Sequence, residues 1–393
     1  MAAGGTGGGV SSIRLLQVTA FVSTFDRFAM PPVLIAIARD LGVPLSDIVQ
    51  VAGAYFLAYG LMQPVWGVVS DFLGRVATMR LTLLLAGIST IASAFMWTPA
   101  TLGLARGLAG AFFGAAYPAS LIYLGDTVPV GRRQREITQL MVGVALGTAL
   151  ASVGGGVVAQ VFTWRAAFVV TGLAALALVI ALRHLPEPEH SRGPRTLLGP
   201  LVEVARSPTA VFVLLLAFAE GAVLLGVLTV LPSAVEADGA TSAVAGAVTA
   251  AYGVAVYAWA RTVGRLSRRV HPARLIALGG MAALVGCLIL SFSRHAAIVV
   301  VVTVLLALAW TAMHSSLQTW ATEVMPGARA TVVSLFAGSL FVGSAVAAVL
   351  VADLVEADRY GAVFLLAAGT AVPLALVATW GRARWRRPGD EPA

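Results

Sequence analysis

The stretch GVVSDFLGRVATMR, residues 67–80, joins two long apolar runs and carries more charge than either of them. Its charged and flexible positions are Gly67, Asp71, Gly74, Arg75 and Arg80. A helix glycine allows another helix to approach closely, and an aspartate is favoured near a helix N-terminus. Arginines in such a connection can set membrane orientation, but that role requires neither the aspartate nor the glycines.

The rest of the chain is too poor in charge to face water. It is 59% hydrophobic and 11% charged, and it contains no lysine, whereas a soluble domain is about a quarter charged. A membrane helix needs about 20 apolar residues. Twelve spans are predicted, at residues 14–37, 48–70, 77–96, 99–124, 137–161, 165–184, 208–235, 240–263, 273–291, 296–322, 329–353 and 359–380.

The arginines lie mostly in connections on one side of the predicted spans. This asymmetry is the orientation signal of membrane proteins, so it predicts cytoplasmic termini and no nucleic-acid partner. The single Cys287 cannot form an internal disulfide. A nucleotide-binding loop needs a lysine that the chain lacks, and we predict no enzymatic activity, no cofactor and no metal.

The longest polar stretch, residues 185–207, divides the chain into two halves. Asp126, Pro129 and Arg132 recur at one spacing as Glu323, Pro326 and Arg329, and Ala54-Tyr55 recurs as Ala251-Tyr252 at the same spacing. Such a repeat is typical of a duplicated transporter bundle. The predicted organisation is a disordered cytoplasmic N-terminus (1–13), six-helix bundles at 14–184 and 208–380, a cytoplasmic central loop (185–207) and a basic tail (381–393).

The five residues of the opening stretch resemble the cytoplasmic signature of the major facilitator superfamily at every position. The resemblance implies an all-α membrane protein with the major facilitator fold, twelve transmembrane helices in two pseudo-symmetric six-helix bundles. It also implies a gate that latches the cytoplasmic side in the outward-open state. The second half has Arg268 in place of the aspartate, so we expect an asymmetric gate. Ala151 and Ser152 stand where exporters of this family usually carry Gly-Pro.

Ionisable residues inside the predicted spans are the candidate functional residues. They are Asp26, Arg27, Arg106, Glu220 and His314. Each charge facing lipid would cost about 2.5–3.5 kcal/mol even on the lenient insertion scale. In the fold that the resemblance implies, their helices line a central cavity, so the distribution favours a transport pathway.

The adjacent Asp26 and Arg27 point about 100° apart on a helix, so both can border one cavity without pairing well. The resemblance implies that the acid carries a proton while the arginine meets the substrate. A structural ion pair with Arg106 is the alternative. Glu220 is a second candidate proton carrier, or it is paired with His314 across the cavity. His314 is the third candidate for proton coupling.

Polar and aromatic stripes indicate the walls of the predicted substrate cavity. Its members are Arg27, Tyr55, Tyr59, Gln63, Arg106, Thr311, Ser315 and Gln318. The spacing of four residues places the two tyrosines and the glutamine on one helix face. Lipid-interface aromatics and contacts between helices are the alternative explanations for these two stripes.

These features together predict a proton-coupled secondary transporter that moves small organic molecules across the cytoplasmic membrane by alternating access. The first hypothesis is an exporter of amphipathic compounds. The second is a transporter of an organic anion or lipid that uses Asp26 and Arg27, and the third is a membrane sensor or scaffold. The predicted partners of this monomer are a small-molecule substrate, protons and membrane lipids.

Overall fold

The computed structural model describes residues 6–188 and 198–386, and this part of the chain is helical with no strand. Twelve helices in it are long and apolar enough to cross a membrane, which confirms the predicted all-α membrane architecture. They are α1 (Ser12–Leu41), α2 (Leu45–Leu73), α3 (Arg75–Ser93), α4 (Pro99–Thr127), α5 (Arg135–Val161), α6 (Trp164–His184), α7 (Pro208–Ala237), α8 (Ser242–Leu266), α9 (Pro272–Phe292), α10 (Ala296–Glu323), α11 (Pro326–Glu356) and α12 (Tyr360–Arg384).

Short polar residues and one glycine define the helix ends. The side chains of Thr98, Ser207 and Thr241 accept backbone N–H bonds at the starts of α4, α7 and α8, which satisfies donors that have no partner within the helix. Gly74 turns the chain between α2 and α3 at φ +97°. Residues other than glycine rarely adopt this backbone conformation. The turn therefore explains why Gly74 of the opening stretch is a glycine.

Helices α1 and α10 are irregular where they pass through the bundle. A 3₁₀ turn at Pro31–Val33 interrupts α1, because two consecutive prolines remove backbone donors there. A π-helical turn at Trp310–His314 interrupts α10. Such turns are uncommon and occur frequently at functional sites.

The two halves meet along α2–α11 and α5–α8, where small residues bring backbones together. A Cβ atom on Gly60 would lie 2.6 Å from the carbonyl oxygen of Gly338, and one on Gly246 would lie 2.2 Å from that of Ser152. Only glycine fits at these positions. Close backbone approach of this kind is a common way for helices to associate in membranes.

The halves separate toward the end of the bundle where α6 ends and α7 begins, here called the linker face. Gly67 and Gly264 lie further along the same helix faces, yet a Cβ on either would meet no described atom within 4 Å. At the opposite face the halves are tied, because Ser46 N–H donates to Glu356 and Ser242 donates to the carbonyl of Gly156 at 3.1 Å each. The space between the halves therefore opens toward the linker face.

Three segments differ from the predicted organisation. Residues 6–13 are helical rather than disordered, because a formed helix adds each further residue with one hydrogen bond. The central loop contains a helix at Leu198–Arg206, which packs Val204 against the core. The last helix extends to Arg384, into the predicted tail. Residues 1–5, 189–197 and 387–393 lie outside the described part.

Candidate functional site

The most buried charges form an ion pair between α1 and α4. Asp26 and Arg106 both have fully buried side chains. Nη1 of Arg106 donates to Oδ1 of Asp26 at 3.1 Å, and Nη2 donates to Oδ2 at 2.9 Å. Thr90 on α3 donates a third bond to Oδ1, at 3.3 Å. The carboxylate is thus held by a bidentate guanidinium, the strongest kind of ion pair in proteins.

Aromatic rings enclose this pair. The guanidinium carbon of Arg106 lies 4.6 Å from the ring centres of both Tyr55 and Phe168. Cation–π contacts are stronger when water is excluded. The Tyr55 hydroxyl is buried and has no hydrogen-bond partner in the described residues. The first cluster is therefore a dry, ordered arrangement around one carboxylate.

Arg27 does not pair with its neighbour Asp26. Its Nη1 donates to the Tyr59 hydroxyl at 3.3 Å, and its guanidinium lies 5.3 Å from the ring centre of Phe341 on α11 of the other half. Nε of Arg27 is buried without a hydrogen-bond partner among the described residues. Arg27 thus stands at the junction of the halves, and no carboxylate of the described residues forms an ion pair with it.

A second buried acid lies in the other half. Nδ1 of His314 on α10 lies 3.1 Å from Oε2 of Glu220 on α7, so the pairing across the cavity is the arrangement observed. The other carboxylate oxygen, Oε1, is buried without a hydrogen-bond partner in the described residues. The His314 ring stacks on Trp310 at 3.9 Å between centres. The π-helical turn places these two rings together.

The remaining predicted cavity residues form the sides of the two clusters. Tyr55 and Tyr59 stack at 6.0 Å on α2, and Gln63 is buried one turn further along. On α10, the hydroxyls of Thr311 and Ser315 donate to backbone carbonyls of their own helix. These two hydroxyls therefore do not connect α10 to another helix.

Gln318 is exposed near the end of α10 that lies toward the linker face. It continues the polar stripe that the spacing predicted. A separate cavity of about 270 Å³ lies near the opposite face, between Arg39, Gln160 and Glu236. No residue of the two buried clusters lines it.

The gate motif, defined as Gly67, Asp71, Gly74, Arg75 and Arg80, lies at the linker face. Arg75 forms ion pairs with Asp71 and with Asp126 at the end of α4, the latter at 3.0 Å. Nη1 of Arg75 also donates to Ser70 at 3.3 Å. All of these partners belong to the first half. Arg80 is exposed and forms no ion pair with a described residue.

Glu187, at the start of the central loop, completes this cluster. Its carboxylate accepts hydrogen bonds from the backbone N–H groups of Arg75, Val76 and Ala77. An acid at this position satisfies the free donors of α3 and interacts favourably with the positive end of the helix dipole. A side chain at Gly74 would collide with this carboxylate. This steric limit, together with the positive φ of the turn, requires glycine at this position.

The second half has a different cluster at the corresponding place. Glu323, the counterpart of Asp126, bonds to Arg382 from the last turn of α12 at 2.8 Å. The Arg382 guanidinium lies 4.7 Å from the ring centre of Trp385 and 5.5 Å from that of Trp320. The expected asymmetry of the linker face thus includes a separate arginine, from another helix, that pairs with the acid.

Several residues of these clusters were not predicted from the sequence. Thr90, Phe168, Trp310 and Phe341 stand in apolar runs, where nothing distinguishes them from packing residues. Glu187 stands in a polar loop, where an acid is ordinary. Asp126 had a usable signal, because it recurs as Glu323 in the second half.

Comparisons with known proteins identify the family of this chain. The family model described as Major Facilitator Superfamily matches residues 16–348. The chain is 29% identical over 168 residues to the 4-hydroxybenzoate transporter PcaK of Acinetobacter baylyi, covering 42% of this chain and 37% of that protein. It is 30% identical over 165 residues to the puromycin resistance protein pur8 of Streptomyces alboniger, covering 42% and 32%. The aligned region thus spans about a third of the length of these two relatives.

Solved structures share the fold over nearly the whole chain. A bacterial homolog to the human lysosomal transporter Spinster, in an inward-facing and unoccupied conformation, superposes with a TM-score of 0.77 at 17% identity, covering 98% of this chain and 100% of that one. The D-xylose-proton symporter superposes with a TM-score of 0.78 at 14% identity, covering 94% and 97%. At these identities the likeness establishes the fold.

Proposed function

This chain belongs to the major facilitator superfamily, and we propose that it is a secondary transporter that exports amphipathic small molecules in exchange for protons. The twelve helices would lie in the cytoplasmic membrane with the linker face toward the cytoplasm, the side that carries most arginines. The protein would work as a monomer. Its partners would be the substrate, protons and the surrounding lipids.

The observation that carries this proposal is the fully buried Asp26–Arg106 pair in the middle of the first half. Ionisable groups inside membrane segments mark transport pathways far more often than they serve packing alone. Desolvation favours the neutral acid, whereas a bound guanidinium favours the carboxylate. A movement that separates the two side chains therefore changes the affinity of Asp26 for a proton.

The open linker face gives this movement a direction. With the cavity open toward the cytoplasm, Arg106 engages Asp26, and the proton is released on that side. When the cavity opens to the opposite face, Arg106 withdraws and Asp26 takes up a proton. Substrate binding and protonation of Asp26 then oppose each other. Each of them shifts the equilibrium between the two conformations, one open to each side of the membrane.

The test is Asp26→Asn in proteoliposomes that contain the pH-sensitive dye pyranine. Puromycin and 4-hydroxybenzoate are the probes, because the names of two relatives supply them. A gradient of a transported probe should change the internal pH with the wild type. Asp26→Asn should abolish this proton movement while still exchanging the probe, and Glu203→Gln on the exposed linker helix serves as control.

Two outcomes would contradict the proposal. If Asp26→Asn keeps proton movement and Glu220→Gln loses it, the coupling proton belongs to the second acid. If the wild type moves no proton with either probe gradient, proton-coupled export of these compound classes is wrong.

The gate motif supports alternating access. In the open linker face Asp71 is bound by Arg75 of its own half, so it is held in place for a contact that would form when this face closes. We expect Asp71→Asn to reduce transport at least tenfold without changing the amount of inserted protein. Flux at the wild-type rate in vesicles that contain Asp71→Asn would show that Asp71 has no gating role.

A second candidate function is transport of an organic anion or lipid. It is favoured by Arg27, whose guanidinium is not paired with a carboxylate of the described residues. Cations held against aromatic rings bind carboxylates and phosphates well. Probe-dependent proton movement with 4-hydroxybenzoate but not with puromycin would favour this candidate over export of amphipathic cations.

A further inference from the structure

Two oppositely charged side chains, one in each half, each have one buried atom without a hydrogen-bond partner among the described residues. Oε1 of Glu220 and Nε of Arg27 are buried and have no partner among the described residues. Glu220 belongs to the second half, and Arg27 belongs to the first. Buried polar atoms are normally satisfied, and leaving one unpaired is destabilising. Such atoms therefore point to something that the protein binds.

The two groups border one region. The guanidinium of Arg27 lies against Phe341 of α11. Gly221, next to Glu220 on α7, packs so closely on α11 that a Cβ would lie 1.8 Å from the carbonyl oxygen of Leu340, the neighbour of Phe341. Both side chains therefore lie beside the same segment of α11.

The neighbouring aromatic rings indicate the chemical character of the uncharged part of a ligand. Phe28, Tyr59 and Phe341 surround Arg27 within 5.0–5.4 Å of its guanidinium. On the other side, Trp310 and Phe336 flank His314, which holds Glu220. Aromatic walls favour an apolar ring and also attract an ammonium group. A guanidinium binds a carboxylate, and a carboxylate binds an amine.

We propose that the cavity recognises a dipolar aromatic amphiphile, with its carboxylate on Arg27 and its amine on Glu220. The proposal rests on the proposed function, because it names the substrate class of the same cavity. Asp26 is outside this recognition, since both of its oxygens are bonded to Arg106. Proton coupling and substrate recognition would then use different acids.

The test measures binding to full-length protein in nanodiscs, by isothermal titration and thermal shift, without any pH gradient. The probes share one ring and differ in which charged end is blocked. In a buffer at about pH 6, phenylalanine is dipolar, phenylalaninamide cationic, N-acetylphenylalanine anionic and N-acetylphenylalaninamide neutral. Each charge-assisted hydrogen bond is worth about 1.5–3 kcal/mol, so removing one charge should weaken binding at least tenfold.

The variants assign each charge to a side chain. Glu220→Gln should weaken phenylalanine and phenylalaninamide at least tenfold and leave N-acetylphenylalanine unchanged. Arg27→Gln should weaken phenylalanine and N-acetylphenylalanine and leave phenylalaninamide unchanged. Glu203→Gln and Arg294→Gln are the matched controls, because both residues lie outside the cavity.

Equal binding of the four probes, or no binding of any, overturns the proposal. So does a preference that neither Glu220→Gln nor Arg27→Gln changes. These binding results are independent of proton movement in proteoliposomes. Proton-coupled transport of puromycin or 4-hydroxybenzoate, together with equal binding of the four probes, would leave the proposed function standing and remove only the dipolar substrate.

Discussion

The two halves each bury an acid on their first helix and pair it with a base on their fourth, but they complete the pair differently. Asp26 has both oxygens bonded to one guanidinium, with Thr90 as a third donor. Glu220 has one oxygen against His314 and one without a partner in the described residues. Both carboxylate oxygens of Asp26 are therefore hydrogen-bonded, whereas one oxygen of Glu220 can still accept a hydrogen bond from a further group.

This difference separates two tasks within a duplicated architecture. An arginine stays charged at every relevant pH, so the Asp26 carboxylate has a permanent counter-ion as long as the helices hold their positions. His314 contacts only one oxygen of Glu220 and leaves the other without a partner among the described residues. Under the proposals above, the first pair would respond to helix movement and the second to a ligand.

The largest effect is expected for Arg106→Met. This change leaves a fully buried carboxylate without its counter-ion, which should lower the free energy of unfolding by about 3–5 kcal/mol. Thermal and denaturant unfolding in detergent micelles would measure it. Asp26→Leu combined with Arg106→Met should recover most of the loss, because an apolar pair replaces an ionic one. Arg294→Met, which breaks a partly exposed ion pair with Asp358, is the control and should cost about 1 kcal/mol or less.

A smaller effect is expected for His314→Leu. Glu220 loses its one hydrogen bond to His314, whereas Arg106→Met removes two hydrogen bonds from a guanidinium, so the loss should be smaller, about 1–3 kcal/mol. The same unfolding measurements apply, with the exposed His295→Leu as control. A loss as large as that of Arg106→Met would make the two pairs equivalent and contradict the comparison.

The smallest effect is expected for Thr90→Val, which keeps the side-chain shape and removes one hydrogen bond to Asp26. Because Arg106 still holds both oxygens, we expect a loss of about 0.5–1.5 kcal/mol. Thr370→Val on the exposed face of α12 is the matched control. No loss at Thr90 would show that the guanidinium alone satisfies the carboxylate.

The fold was predictable because its signals are local. Twelve apolar runs indicate the membrane helices, and the spacing of the five residues in 67–80 carries the resemblance to the family signature. The candidate residues Asp26, Arg106, Glu220 and His314 were also visible one by one, since a charge in an apolar run is rare. Their pairing was not, because it depends on how four helices pack. The sequence left open whether Asp26 is a proton carrier or is held in a structural ion pair with Arg106.

Other parts of the site left no trace in the sequence pattern. The π-helical turn at Trp310–His314 replaces an ordinary turn in a run that reads as continuous helix. Glu187 reaches the start of α3 from a loop whose polar residues all look alike. Arg382 pairs with Glu323 from another helix. Each depends on tertiary contacts that periodicity does not describe.

The close backbone contact of Gly60 with Gly338 is the point about which the halves would rotate in the proposed transport cycle. From Gly60 to Leu73 at the end of α2, the helix extends about 20 Å at about 1.5 Å per residue. Rotating each half by roughly 15°, a common size for rigid-body changes, would move each free end by about 5 Å. A Cβ at Gly60 would also lie 3.0 Å from the Cβ of Phe341, so a larger residue there would push the halves apart. With glycine in place, a small rotation at this contact would become an opening of molecular size at the surface.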